Sequence, residues 1–181
     1  MSFDEQGLLQ RAASFESEAL AEVYDRFSPG LYRYAMRLLG QADLAEECLS
    51  ETFARLLQAL KSGRGPRGHL QAYLYRIAHN WITDHYRRAP LPAMLIEDAY
   101  LKDPRPLPET AVAMLHQKQR IRSALMQLTP DQRQVLSLRF IEEWEVDEVA
   151  AALGKPAGAV KSLQHRGLAA LKKILRTKEE A

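Results

Sequence analysis

Val146-Asp147-Glu148-Val149-Ala150-Ala151-Ala152-Leu153-Gly154-Lys155-Pro156-Ala157-Gly158-Ala159-Val160-Lys161-Ser162-Leu163 is the stretch on which the fold of this chain turns. Val149, Ala150, Leu153, Gly154, Val160 and Leu163 have the small and apolar spacing of two helices that cross steeply at a glycine turn. In a motif of that shape the second helix enters the DNA major groove. Its outward face here carries Lys161, Ser162, Gln164, His165 and Arg166. Gln and Arg hydrogen-bond base edges, while Lys, Arg and Ser hold phosphates. An ordinary helical hairpin with a solvated basic face has the same spacing, so the local pattern leaves the choice open.

Helical periodicity extends outward from this stretch over most of the 181 residues, and no strand-like alternation persists. Upstream, a helix is expected from about Ala111 to Gln127, ending before Leu128-Thr129-Pro130. Thr129 suits an N-cap and Pro130 the first helical position of a helix running to about Phe140. Residues 89–109 hold five of the nine prolines, which remove backbone donors and disfavour helix in the residue before each. An extended interdomain linker is expected there, with Met94-Leu95-Ile96 as an apolar patch able to dock.

Three further helices precede the linker. The first is expected from about Ser17 to Leu39, broken near Ser28-Pro29-Gly30 and stopped at Gly40, with Leu20, Val23, Tyr24, Phe27, Leu31, Tyr34, Ala35 and Leu38 inward. The second runs from about Ala42 to Leu60, with Leu44, Cys48, Phe53, Leu56, Leu57 and Leu60 as core candidates. A basic, glycine-rich loop, Lys61 to Gly68, separates it from the third, His69 to Arg88.

Charge is unevenly placed. Net charge is only +2, but Met1–Leu60 has ten acids against five bases, whereas Lys61–Arg88 has six bases against Asp84 alone. Val160–Lys178 has six bases and no acid. Two separate basic blocks suggest two contacts to one polyanion. In the third helix Tyr73, Tyr75, Trp81 and Tyr86 interleave with Arg76, His79, Asn80, Arg87 and Arg88, a mixture suited to stacking on unpaired bases beside neutralised phosphates. Tyr73 and Trp81 also stand at core spacing, and the pattern alone does not separate the two roles.

No catalytic constellation, metal site or cofactor is expected. The five histidines are scattered, and no nucleophile elbow or phosphate-binding glycine loop is present. Asp43, Glu46, Glu47 and Glu51 on the second helix are explained by the helix dipole more simply than by metal binding. The lone Cys48 fits a reducing compartment and a buried thiol. No signal peptide is legible at Met1–Gln6 and no apolar run reaches membrane-span length, so a cytoplasmic location without membrane insertion is expected.

Taken in order, the motifs resemble an RNA polymerase sigma factor of the extracytoplasmic-function (ECF) group. Tyr24-Asp25-Arg26-Phe27 through Tyr32 to Gly40 resembles the opening of the family's region 2. Ala45-Glu46-Glu47 and Glu51-Thr52-Phe53 resemble the stretch that binds the clamp helices of the polymerase β′ subunit. Tyr73 to Asn80 and Asp84 to Arg88 resemble the segment that opens and reads the −10 element. Leu128 to Leu136 resembles the start of region 4, and Glu148-Val149-Ala150, Leu153-Gly154 and Gly158 to Ser162 resemble its −35-reading helix-turn-helix. The chain departs from the pattern at Tyr73, where the family usually has Trp, at Ala159 in place of Thr, and at Leu163-Gln164 in place of Arg and an apolar residue.

The resemblance implies an all-α fold of two small helical domains, 1–88 (region 2) and 112–181 (region 4), joined by the proline-rich linker 89–111. It implies core-polymerase contacts at Asp43, Glu46, Glu47, Glu51 and Phe53, and −10 contacts at Tyr73, Arg76, His79, Asn80, Trp81, Arg87 and Arg88, with Asn80 and Trp81 in the base pocket. It implies −35 contacts at Arg133, Lys155, Lys161, Ser162, Gln164, His165 and Arg166. The partners implied are core RNA polymerase (β′ clamp helices and β flap), promoter DNA and an anti-sigma factor. Two other readings stay open: a sigma-like mimic that titrates an anti-sigma factor, and a helix-turn-helix repressor, which leaves the Tyr73–Arg88 pattern unexplained.

Overall fold

The computed structural model describes residues 4–88 and 109–177, and the linker with its Met94-Leu95-Ile96 patch lies outside the described residues. The described residues are helical, without a strand. Helices α1 (Glu5–Ala13), α2 (Ser17–Leu39), α3 (Ala42–Lys61) and α4 (Leu70–Arg88) form a bundle. Helices α5 (Glu109–Met126), α6 (Pro130–Leu136), α7 (Val146–Leu153) and α8 (Ala157–Thr177) form a second unit. A π turn, Ser137–Ile141, continues α6.

The first bundle follows from its apolar stripes. Leu31, Tyr34, Leu38, Leu56, Leu70, Leu74 and Ile82 are fully enclosed, each stabilising the fold by ~1.5–3 kcal/mol relative to exposure. Gly40 closes α2 in the left-handed conformation at φ 77, as its sequence position suggested. Two expectations fail. α2 is not broken at Ser28-Pro29-Gly30: it runs unbroken through Pro29, which stands on the exposed face, where water can solvate the carbonyl left without a donor. Gly30 serves packing, since a Cβ there would sit 2.9 Å from the Tyr75 hydroxyl.

The other difference is α1, which lies ahead of Ser17, the first residue at which a helix is expected from the sequence. Nine residues are marginal as an isolated helix. Packing holds this one, with Leu8, Leu9 and Ala12 buried, and Asp4 caps its start by accepting from the Gly7 amide at 2.9 Å. Glu5 of α1 accepts the Leu70 amide at the start of α4, tying the two helices together.

The second unit opens as its punctuation predicts. Thr129 and Gln132 form a reciprocal capping box at 3.3 Å in each direction, with Pro130 in the first turn. Gly154 ends α7 at φ 61 and makes the turn of the helix-turn-helix. Gly167 lets α8 approach α6, a Cβ there meeting Leu136 Cδ1 at 3.2 Å. α5 begins at Glu109, slightly ahead of the expected Ala111. The buried cluster is continuous from the first bundle into Leu125, Leu128, Val135, Leu138, Val149 and Val160, so the two units share one core.

Candidate nucleic-acid interface

On α8, Lys161, Ser162, His165 and Arg166 are exposed and together line a shallow concavity. The Ser162 hydroxyl donates to the Gly158 carbonyl at 3.0 Å, so toward a ligand it offers its oxygen as acceptor. Gln164 sits half-buried on the flank of this face, where its Oε1 accepts from Arg139 Nε at 3.3 Å. Lys155 pairs with Asp131 at 3.1 Å.

On α4, Arg76, Asn80, Arg87 and Arg88 are exposed, and Tyr73 and Trp81 are half-buried. Trp81 stacks on His85 with ring centroids 5.3 Å apart. Glu47, Asp84, His85 and Arg88 share a small pocket with Trp81, whereas Asn80 does not line it. Arg87 is paired with Asp84 at 3.1 Å, one turn back.

The expectation that His79 and Arg133 lie open to DNA is not met, because both are buried where the two units meet. His79 Nε2 lies 3.1 Å from the Pro130 carbonyl and Nδ1 lies 2.8 Å from the Tyr34 hydroxyl. A carbonyl only accepts, so Nε2 carries the proton and Nδ1 accepts from Tyr34. Burial, and then the Arg133 guanidinium, push the His79 pKa down to about 3, so the ring is neutral. Arg133 Nη2 donates to Thr83 Oγ1 at 2.8 Å, crossing the same seam. Burial lowers the Arg133 pKa and raises that of Tyr34.

Further contacts lock this seam. The Tyr75 hydroxyl donates to Glu142 Oε2 at 2.9 Å, and its ring stands 5.1 Å from Trp144. Arg37 donates to the Ile141 carbonyl at 2.9 Å and pairs with Glu142 at 3.3 Å. Arg122 Nε donates to the Arg37 carbonyl at 3.1 Å. Helical spacing alone could not show that His79 points at Pro130, since the two are 51 positions apart.

On α3, Asp43, Glu46 and Glu47 are exposed, and Glu51 is half-buried and paired with Arg55 at 2.8 Å. Phe53 is half-buried against Tyr24, with ring centroids 4.9 Å apart. Tyr24 and Leu57, both expected in the core, are instead 48% and 39% exposed. They extend the apolar surface around Phe53, and the signal was the i, i+4 spacing of Phe53 and Leu57. Cys48 is buried beside the Ala78 carbonyl, and burial pushes its thiol up to about 12, as expected of a core residue.

These features define a class: an all-helical protein with two helices that expose basic residues, one inside a helix-turn-helix, and an acidic and apolar face on a third helix. Residues 23–90 match the Sigma-70 region 2 family and residues 124–173 match Sigma-70, region 4. The chain is 30% identical over 172 residues to the ECF RNA polymerase sigma factor SigW of Bacillus subtilis, covering 89% of this chain and 91% of that protein. It is 31% identical over 170 residues to the ECF RNA polymerase sigma factor BldN of Streptomyces coelicolor, covering 93% of this chain, and it spans 64% of the length of that relative. The structure of CnrH in complex with the cytosolic domain of CnrY shares the fold, with a TM-score of 0.68 at 24% identity, over 96% of this chain and 97% of that one. The chain belongs to the ECF group of the sigma-70 family.

Proposed function

We propose that this chain directs core RNA polymerase to a set of promoters, acting in the cytoplasm. The observation that carries the proposal is the pairing of two separate basic reading faces, on α4 and α8, with a docking face on α3. Domain 1–88 docks on the polymerase β′ clamp helices through Asp43, Glu46, Glu47, Glu51 and Phe53, joined by Tyr24 and Leu57. Residues 89–111 connect it to domain 112–181, which reads the −35 element and meets the β flap. Asn80 and Trp81 receive unpaired −10 bases, at an unstacking cost of a few kcal/mol, beside Tyr73, while Arg76, Arg87 and Arg88 hold backbone. Lys161, Ser162, His165 and Arg166 face the −35 major groove.

His79 and Arg133 reach DNA only if the seam opens. Elements roughly 25 base pairs apart lie ~85 Å apart along B-DNA at ~3.4 Å per pair. A compact chain of this length has a radius of gyration of only ~16 Å. On a promoter the two units therefore part. CnrH is known bound to the cytosolic domain of CnrY, and the Bartonella quintana sigma factor RpoE to the anti-sigma factor NepR. A partner that holds the seam closed is the corresponding proposal for this chain. The chemistry of RNA synthesis belongs to the polymerase.

Run-off transcription on a genomic promoter library, with core polymerase with and without this chain, tests the reading. Defined new start sites sharing two upstream elements are expected. Binding to core polymerase or to an anti-sigma protein without any start site would overturn it in favour of a sigma-like mimic.

A further inference from the structure

Arg139 stands in the π turn where the two helices of the reading motif are anchored, with a side chain 20% exposed. One guanidinium makes three contacts. Nε donates to Gln164 Oε1 of α8 at 3.3 Å, Nη1 donates to the Trp144 carbonyl just ahead of α7, and Nη1 lies 3.6 Å from Glu145, the N-cap of α7. The same group thus touches α8 and the start of α7.

The chemistry of the contact determines how Gln164 is turned. A guanidinium only donates, so the amide must present its oxygen to Arg139. Bidentate recognition of adenine by glutamine needs that oxygen to accept from N6 while the amide nitrogen donates to N7. With Oε1 held and the side chain half-buried, Gln164 is not presented for that contact. It also stands ~60° around α8 from Lys161, on the side away from His165.

We propose that Arg139 is a positioning residue for promoter readout, and that Gln164 is its partner within the protein and not a base reader. Together they set the rotation of α8 that turns Lys161, Ser162, His165 and Arg166 outward. The inference rests on the promoter-directing function proposed above.

The test uses the full chain with core polymerase and a promoter library in which the −35 element is randomised and the −10 element held. Gln164→Glu keeps an acceptor for Arg139 and strengthens it by charge, so its base preference should match that of the original chain, with output within about twofold. Arg139→Ala and Gln164→Ala should shift the preference in the same direction, Arg139→Ala the further because it also releases Trp144 and Glu145, and the double variant should be no worse than Arg139→Ala, in which the Arg139–Gln164 contact is already gone. Two results would overturn the assignment. One is a loss of more than about tenfold for Gln164→Glu with an intact preference in Arg139→Ala, the behaviour of a side chain facing phosphates. The other is a lowered thermal midpoint in Arg139→Ala with no change in base preference, which marks a purely structural role. An original chain that yields no start sites would sink the proposed function and this inference with it.

Discussion

His79 shows at the scale of one residue how burial changes a role that composition suggested. Its folded pKa is about 3, whereas the unfolded chain titrates near ~6.5. Below that pH the unfolded state takes up a proton that the folded state refuses. Stability that is complete above pH ~6.5 is therefore lost as pH falls, by about 1.4 kcal/mol per unit down to about pH 3. Facing the ring are Arg133, which opposes protonation, and Asp131, which favours it. His79→Gln keeps an amide that can donate toward the Pro130 carbonyl, but it cannot titrate. Denaturant unfolding at pH 7 and pH 5 should show a loss of ~2 kcal/mol that is largely absent in the Gln variant. Equal losses in both proteins would acquit His79. Leu57 presents the opposite case, an apolar residue left in water. Leu57→Asp costs the fold little, yet should weaken binding to core polymerase by about tenfold or more, ~1.4 kcal/mol, in a direct binding titration. Unchanged affinity would remove Leu57 from the docking face.

Among the elements, α2 is the one whose local signals mislead. Pro29 carries a helix-interior penalty of ~3 kcal/mol or more, and burial of Val23, Phe27, Leu31 and Tyr34 on one continuous stripe outweighs it. Pro29→Ala should therefore raise the thermal midpoint, and calorimetry that found a lower one would point to a need for the proline ring. Gly30 differs from its neighbour. A methyl group there would press on the Tyr75 hydroxyl and disturb its bond to Glu142 across the seam. By contrast the start of α6 and the end of α7 were legible to the residue, because the Thr129 cap with Pro130 and the Gly154 turn are local chemistry.

For the whole molecule the seam is decisive, and Arg37 tests it. Its side chain is half-exposed, so Arg37→Glu leaves the shared core intact, yet it loses the Ile141 carbonyl and places a carboxylate against Glu142. Small-angle scattering should show the radius of gyration rising by several ångströms from the ~16 Å of a compact chain. An unchanged profile would mean that the apolar contacts alone hold the units together. If the seam limits access to DNA, the same variant should load onto promoters faster once bound to core polymerase.

The sequence by itself determined the helical class, the two basic blocks, the helix-turn-helix and the family, because periodicity, caps and motif order are encoded within a few residues of one another. It also distinguished most inward from outward positions on α2, α3 and α4, while Tyr24 and Leu57 escaped because an apolar docking face has the same spacing as a core face. Only the tertiary structure decided that His79 and Arg133 are enclosed, that Gln164 turns to Arg139, and that Trp81 stacks on His85. The physical reason is distance along the chain. Tyr34, His79 and Pro130, or Thr83 and Arg133, are brought together by packing between units, and no local pattern records which side chain a distant helix will place against another.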